Sequence, residues 1–426
     1  MRRRELLAEC ASTWLRCEHE QTAGRARPVR REGAGLPTSR KGTTEDVRRD
    51  NLAAILAQLH LNGPASRSIL AQLTGRNRST IASLVGDLVE LGLVTESAPP
   101  SEGRQGIPSP VVAIRAEVVA LVCNPEIDAL TIGVVGLDGT VRSIIRHDYD
   151  RPPTAAEVWR LAADVVADLR SELADLRVVG MGSAVPGQVR TEDGVIRNAP
   201  HLGWREEPFA RPLQQACGYP VWVGNDAAVG ALAETQFGAG RGATNVVYLN
   251  GGASGIGGGV IVDGRLLRGA SGYAGELGHL RVSGSEQADS AGIPGTVEAV
   301  VTRSELLAAF QVDRATGDEL ARLLRGPLPA AVADVVTRQV AHLGVAVAGA
   351  INVFNPEFVV LGGFLADLQA CAPADLDARV GQFALAPLRE HVQIVPSALG
   401  EKLLVVGAAG LAFAPLLRDP ARIQLG

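Results

Sequence analysis

The sequence predicts an α/β protein in two parts, a winged helix-turn-helix at the head and a larger body in which short strands alternate with helices. Three observations lead there. Between residues 46 and 88 apolar residues recur at helical spacing around one glycine turn, and from Val118 the pattern changes to short apolar runs punctuated by Gly and Asp. The third is charge, because a chain with a formal net charge of −5 crowds arginines at one end.

Up to about residue 43 the chain mixes Arg, Glu, Gly and Pro without a sustained period, including Arg2, Arg3, Arg4, Arg25, Arg27, Arg30, Arg31, Arg40 and Lys41. Such a stretch offers no apolar face to pack and is read as a disordered basic arm. It would touch DNA, hang as a solvated tail, or reflect a start codon placed too far upstream. The DNA-binding domain then spans 44–115. Its first helix begins near Asp46 with Leu52, Ile55, Leu56 and Leu59 on one stripe, and Asn62-Gly63-Pro64 stops it. A second, with Ser66 as N-cap, turns Ile69, Leu70 and Leu73 inward. After the Gly75 turn, a third from about Asn77 buries Ile81, Leu84, Val85 and Leu88. The strands near Leu93-Val94-Thr95 and Val111 to Ile114 would flank a wing whose tip runs from Pro99 to Gly106.

In the body, Val118 to Val122, Leu130 to Val135 and Val141 to Ile145 read as a three-strand meander, followed by a helix from about Thr154 to Leu173 and a strand at Val178 to Met181. Further strands at Val221 to Val223, Val246 to Leu249, Val260 to Val262, Phe358 to Leu361 and Val392 to Val395 alternate with helices, the longest near 328–354. With 426 residues, 46% of them hydrophobic, the chain can fill more than one core. No run of about 18 apolar residues is free of charge or glycine, and the Arg-rich start has no apolar signal segment, so a soluble, cytoplasmic protein without a membrane partner is expected. Cys10, Cys17, Cys123, Cys217 and Cys371 are scattered without CxxC spacing, which argues against a disulfide framework.

The third helix presents Arg78, Ser79, Thr80 and Ser83 opposite its apolar stripe, where an inserted helix meets base edges and phosphates, and Arg48 of the first helix joins them as a candidate contact. A solvated polar face would look the same if the helix stood alone. Arg104, between Gly103 and Gln105-Gly106, would enter a narrow A/T-rich minor groove or touch only phosphate. Two such heads on a dimer or tetramer would read an inverted repeat in double-stranded DNA.

In the body, Gly251 to Gly259 make a Gly-rich turn, and Gly272-Tyr273-Ala274-Gly275-Glu276-Leu277-Gly278-His279 follows. Gly224-Asn225-Asp226 leaves a strand and opens a helix, where a carboxylate and an amide could hold sugar hydroxyls, or simply cap the helix. These motifs, with Pro186-Gly187, Asn198-Ala199-Pro200, Trp204, Asn355-Pro356-Glu357 and Leu361-Gly362-Gly363, resemble the ROK family of repressors, open reading frames and kinases from about residue 46 to 415. The resemblance implies a two-lobed actin- and hexokinase-like, ribonuclease-H-like body with sugar in the cleft, its first lobe formed by 116–226 with 397–426 and its second by 227–396. It makes Asn198, Asn225, Asp226, Glu276, His279 and Glu298 sugar ligands, with Asp226 where the family's kinases keep their base. His201 falls where many members have a sugar-binding Asn.

Two departures matter. Where the family's kinases carry Asp-x-Gly-Gly-Thr-Lys, this chain has Asn124-Pro125-Glu126-Ile127-Asp128-Ala129, and Glu126 with Asp128 would repel phosphate. Where three cysteines join His279 around zinc, it has Asp289, Ala291 and Thr296. No cofactor or zinc is therefore expected, the Ser283 to Gly295 loop should be mobile, and His279 should lack the partner that fixes its tautomer. The function these features favour is a DNA-binding, sugar-sensing regulator, most simply a repressor, without kinase activity. The alternatives are a pocket that has drifted to another ligand or none, and a working ATP-dependent sugar kinase.

Overall fold

The computed structural model describes residues 44–98, 109–252 and 255–421. The arginine-rich start, the wing tip with Arg104, and Ala253 and Ser254 lie outside the described residues. The described chain divides into two compact units, one taking in the residues up to Ala116 and from Ala414 onward, the other running from Glu117 to Phe413. Residues 414–421, which the sequence reading assigns to the first lobe, thus group with the N-terminal unit.

In that unit α1 (Thr44–Asn62), α2 (Arg67–Thr74) and α3 (Arg78–Glu90) bury Leu52, Ile55, Leu56, Leu59, Leu70, Ile81, Leu84, Val85 and Leu88. The expected stripes are therefore the core, with one correction. Ile69 is 47% exposed, because the short α2 turns only one narrow face inward and Leu70 occupies it. Ser66 Oγ accepts from Ile69 N, Gly75 ends α2 at φ 66°, and Asn77 Oδ1 accepts from Thr80 N at 2.8 Å to start α3. Strands β1 (Ala65–Ser66), β2 (Val94–Ser97) and β3 (Val111–Ile114) form an antiparallel sheet in the order β1-β3-β2, with Val94 opposite Ile114.

The second unit holds two five-stranded sheets among the described residues. The first uses β4 (Val118–Pro125), β5 (Ala129–Gly136), β6 (Val141–Asp148), β7 (Arg177–Val185) and, after a small sheet of β8 (Gln188–Arg190), β9 (Val195–Ala199) and β10 (Trp204–Pro208), β11 (Val221–Asn225). The second uses β12 (Val246–Gly252), β13 (Gly255–Val262), β14 (Arg265–Leu266), β15 (Phe358–Gly363) and β16 (Gln393–Pro396). Their orders, β11-β7-β4-β5-β6 and β14-β13-β12-β15-β16, are one plan used twice. In each, three strands meander antiparallel and two more add in parallel beside the first. This repeated, two-lobed α/β plan is the actin-like body that the motifs imply.

Strands β4 and β5 are buried along their whole length, as their unbroken apolar runs require, whereas β6 is an exposed edge. Helices α4 (Ala155–Asp168) and α5 (Ala210–Cys217) close the first lobe's core around Val158, Ala162, Phe209 and Leu213. The expected helix to Leu173 breaks after Asp168. Helix α6 (Asp226–Phe237) lies on β12 and β13, and α7 (Ala330–Phe354) fills the second core with Val332, Val336, Val340, Leu343, Val347 and Ile351. By length and apolarity α7 and the helical run Gly400–Arg418 could cross a bilayer, and α7 directs those residues into the core instead. The last helix, α8 (Leu403–Arg418), presses on the first sheet where Gly133 and Gly182 leave room for Val405 and the Ala408 backbone.

Glu234, on α6, is fully buried. Its carboxylate accepts from Ala239 N (2.7 Å), Ser397 Oγ (2.5 Å), Ala398 N (3.1 Å) and Leu399 N (3.1 Å). That set of donors accounts for an acid in an apolar core. Glu234→Ala strands them, and a loss of about 3 kcal/mol in unfolding free energy is expected from urea titration. An unchanged midpoint would mean that the 397–399 segment is held by something else.

Candidate functional site

Asn225 ends β11 and caps α6, its Oδ1 accepting from Ala228 N at 2.9 Å while its Nδ2 donates to Gly187 O at 3.0 Å. Most of its amide is thus already engaged in fixing the helix start. Asp226 follows, with Oδ1 accepting from Ala227 N at 2.8 Å. The helix comes close to β13 because a Cβ at Gly257 or Gly259 would strike Ala227 and Ala231. On the other face of β13, Gly258 lies against the Gly275 carbonyl and Leu277, which seats the turn carrying Glu276. Burial pushes the Asp226 carboxyl up to about 7, the Ala227 amide opposes the shift, and repulsion from Glu276 and Glu126 adds to it.

Behind Glu276, a short 3₁₀ turn over Leu277–His279 leads into the 281–296 loop. His279 Nδ1 lies 2.8 Å from Asp289 Oδ2. Asp289 also accepts from Thr296 Oγ1 at 2.8 Å and from Ala291 N and Ile293 N, both at 2.9 Å. Gly295 O accepts from Val282 N and Ser283 N, and Gly295 N donates to Gln287 O. The expectation of an unpartnered His279 is therefore corrected, since Asp289 holds the imidazole, and the same loop is crossed by several hydrogen bonds. Burial works against a charged His279, but the Asp289 bond and the carboxylates of Glu298, Asp289 and Glu276 leave its pKa raised. Glu298, on the short helix Val297–Val300, accepts from Ser290 N (3.0 Å), Ser290 Oγ (2.5 Å) and Ile256 N (3.1 Å).

Donor atoms of His279, Asp289 and Glu298 lie within 4.8 Å of one another, the one such trio among the described residues. A structural zinc does not fit them. All four carboxylate oxygens already accept hydrogen bonds, and the loop supplies no thiolate.

On the first-lobe side Asn124 is buried, with Oδ1 accepting from Ala184 N at 2.8 Å and Nδ2 without a partner among the described residues. Beside it Glu126 is held above the usual carboxylate range by burial, against the pull of Arg146. Arg146 Nη1 meets Glu126 at 3.2 Å, Nη2 meets Asp128 at 3.6 Å and Nε meets Asp148 at 2.9 Å. Sequence reasoning missed this arginine, which offsets one of the negative charges gathered there. The signal was present, because the meander sets Arg146 opposite Thr131.

Asn198, exposed on β9, pairs with Gln188 and Arg205, and its carbonyl borders Gly187, the residue bound by Asn225. His201 sits on the turn Pro200–Leu202 with Nε2 buried and unpartnered among the described residues. Electrostatics thus joins Asp226, Glu276, His279 and Glu298, while Gly187 links Asn225 to Asn198. The cavity lined by Leu324, Arg325, Asp367 and Cys371 contains none of them.

In the N-terminal unit Arg78, Ser79 and Ser83 are exposed on α3, Thr80 is half-buried, and Ser79 Oγ donates to Asn77 Oδ1 at 2.8 Å. Arg48 pairs with Asp87 at 2.5 Å, so it also braces α1 against α3. Arg76, exposed just before α3, adds a positive charge that the sequence reading did not single out.

An acid whose folded pKa exceeds its unfolded value of about 4 lowers stability as pH rises between the two, because only the unfolded chain ionises freely there. Asp226 does so from about pH 4 to its folded pKa of about 7. Asp226→Asn should therefore match wild type near pH 4.5 and be more stable at pH 8 by about 1–4 kcal/mol, at about 1.4 kcal/mol per pKa unit. Urea titrations at both values check this, and parallel losses in the two proteins would show a well-solvated carboxyl.

Residues 128–414 match the model of the ROK family. The xylose repressor of Caldicellulosiruptor bescii is 25% identical over 391 residues, which cover 87% of this chain and 97% of the repressor. The glucokinase of Thermotoga maritima is 30% identical over 319 residues, covering 68% of this chain and 90% of the kinase. A solved ROK family transcriptional regulator, a homolog of the Escherichia coli Mlc protein, shares the fold with a TM-score of 0.72 at 25% identity, over 88% of this chain and 97% of its own. With a family match over most of its length, carrying both lobes of the cleft, the chain belongs to the ROK family.

Proposed function

We propose that this protein is a DNA-binding transcriptional repressor whose ROK body senses a sugar or sugar derivative without phosphorylating it. The observation that carries this reading is the reach of the likeness. The xylose repressor aligns with 87% of the chain, beyond the body and into the helical head, whereas the glucokinase covers 68%. Helix α3 would lie in the major groove with Arg78, Ser79, Thr80 and Ser83 toward bases and phosphates, Arg48 near the backbone, and the wing with Arg104 in an A/T-rich flank. Two-fold pairing of chains, as a homodimer or homotetramer in the cytoplasm, would match an inverted repeat.

In the body, Asp226, Glu276, His279 and Glu298 would receive the sugar's vicinal hydroxyls, with Asn225, Asn198 and His201 toward the first lobe. The absence of kinase activity is argued from Asn124 to Ala129, which keep no glycine and no lysine for a triphosphate. Arg146 is already shared among Glu126, Asp128 and Asp148. An active kinase is favoured by the glycine-rich loop Gly251 to Gly259, by the 30% identity to a glucokinase and by Asp226, whose pKa of about 7 suits a base near neutrality. The His201 substitution favours a pocket adapted to another ligand.

Genome-wide capture of bound DNA supplies the operator, and Arg78→Ala should weaken it by about 1–3 kcal/mol with relaxed base preference. Glu276→Ala should keep DNA affinity and lose the response to the sugar that alters it in wild type. The ligand should bind the free and DNA-bound protein with affinities whose ratio equals its effect on DNA, as linkage requires. Wild-type operator affinity in the Arg78 variant, or ATP-dependent sugar phosphate from the wild type, would overturn this reading.

A further inference from the structure

We propose that Asp289 does in this chain what a bound metal would do elsewhere, pinning His279 by a hydrogen bond that keeps the imidazole proton on Nδ1 and leaves Nε2 as an acceptor. The identity of what Nε2 accepts from, an effector hydroxyl, rests on the reading of the cleft as a sugar site. The tautomer itself does not.

The Asp289 side chain is fully buried, and every group found against it is a donor or can act as one. Oδ1 accepts from two backbone amides, Ala291 N and Ile293 N, and Oδ2 from the Thr296 hydroxyl. An ionised carboxylate has no proton to give, so the 2.8 Å contact with His279 must be Nδ1–H donating to Oδ2. The three positions that the family fills with cysteine thus contribute a carboxylate, a backbone N–H and a hydroxyl to one cluster. Thr296 extends it, because its Oγ1 accepts from Ala299 N and caps the helix that carries Glu298. A cation seated here would have to displace those donors from a buried carboxylate, a cost of several hydrogen bonds, while gaining no thiolate.

The substitution reverses the chemistry at the far side of the ring. A metal on Nδ1 forces the remaining proton onto Nε2, making it a permanent donor, whereas Asp289 leaves the neutral ring's Nε2 bare. A polyol bound to the neutral ring must turn a hydroxyl hydrogen toward His279. Asp289 is in this sense a positioning residue, acting on ligand choice through the imidazole.

The test uses the full chain without DNA or sugar, so its outcome is separate from that of the regulatory reading. Metal content is measured by atomic emission after dialysis, thermal unfolding is followed with chelator and with added zinc, and histidine-labelled protein is examined by long-range proton–nitrogen NMR at pH 8, with His279→Gln assigning the signal. The expected result is no stoichiometric metal, an unmoved thermal midpoint and an Nδ1–H pattern for His279 that is lost in Asp289→Asn. One tightly held metal per chain, or an Nε2–H pattern in the wild type, would overturn the proposal. Should Asp289→Asn fail to fold, the wild-type metal content and tautomer decide alone.

Discussion

Helix α6 and the turn bearing Glu276 approach opposite faces of β13 because Gly257, Gly258 and Gly259 place no side chain on either face. Everything in the cleft follows from that double approach. It brings the Asp226 carboxyl close enough to Glu276 for mutual repulsion and removes enough water to raise its pKa to about 7. A methyl at Gly257 or Gly259 would meet Ala227 or Ala231, and one at Gly258 the Gly275 carbonyl, so the helix or the turn would have to shift. The glycines forgo strand propensity, and what is obtained is a pair of acids held close together against their electrostatic preference.

Elsewhere the same lobes show how charge is managed. Arg146 faces three carboxylates from an exposed edge strand, where each pair taken alone is worth little in water and the group matters mainly by offsetting the charge of half-buried Glu126. Asp289 and Glu234 are managed differently. Both are buried acids surrounded by amides and hydroxyls, and neither relies on a positively charged side chain from Arg or Lys. In this fold, backbone donors gathered by tight loops do work that cations do in other proteins.

Much of the fold was legible because burial imposes a period. Leu52, Ile55 and Leu56 on α1, and Ile81, Leu84, Val85 and Leu88 on α3, mark helices with one wet face, and the unbroken runs in β4 and β5 mark strands wet on neither. The small sheet of β8, β9 and β10 was not legible, since Gln188-Val189-Arg190 carries no pattern that pairing with β9 does not supply. Ile69 was misplaced because spacing alone cannot tell which of two adjacent apolar residues a short helix turns inward. In the site, residue types pointed to Asn225, Asp226, Glu276, His279 and Glu298. They said nothing of Asp289 as a partner, because its other ligands include the amides of Ala291 and Ile293, and an amide is present at nearly every position.

Helix α6 begins at Asp226 and carries Glu234 two turns later, so the same rigid rod enters the cleft at one end and grips Ser397, Ala398 and Leu399 at the other. Eight residues of α-helix span about 12 Å and bend little over that length. The grip is made of backbone amides and one hydroxyl, which follow the carboxylate rather than slide past it. The rod thus ties the cleft end of α6 to the segment that leads into α8, through the Glu234 carboxylate and its three donors.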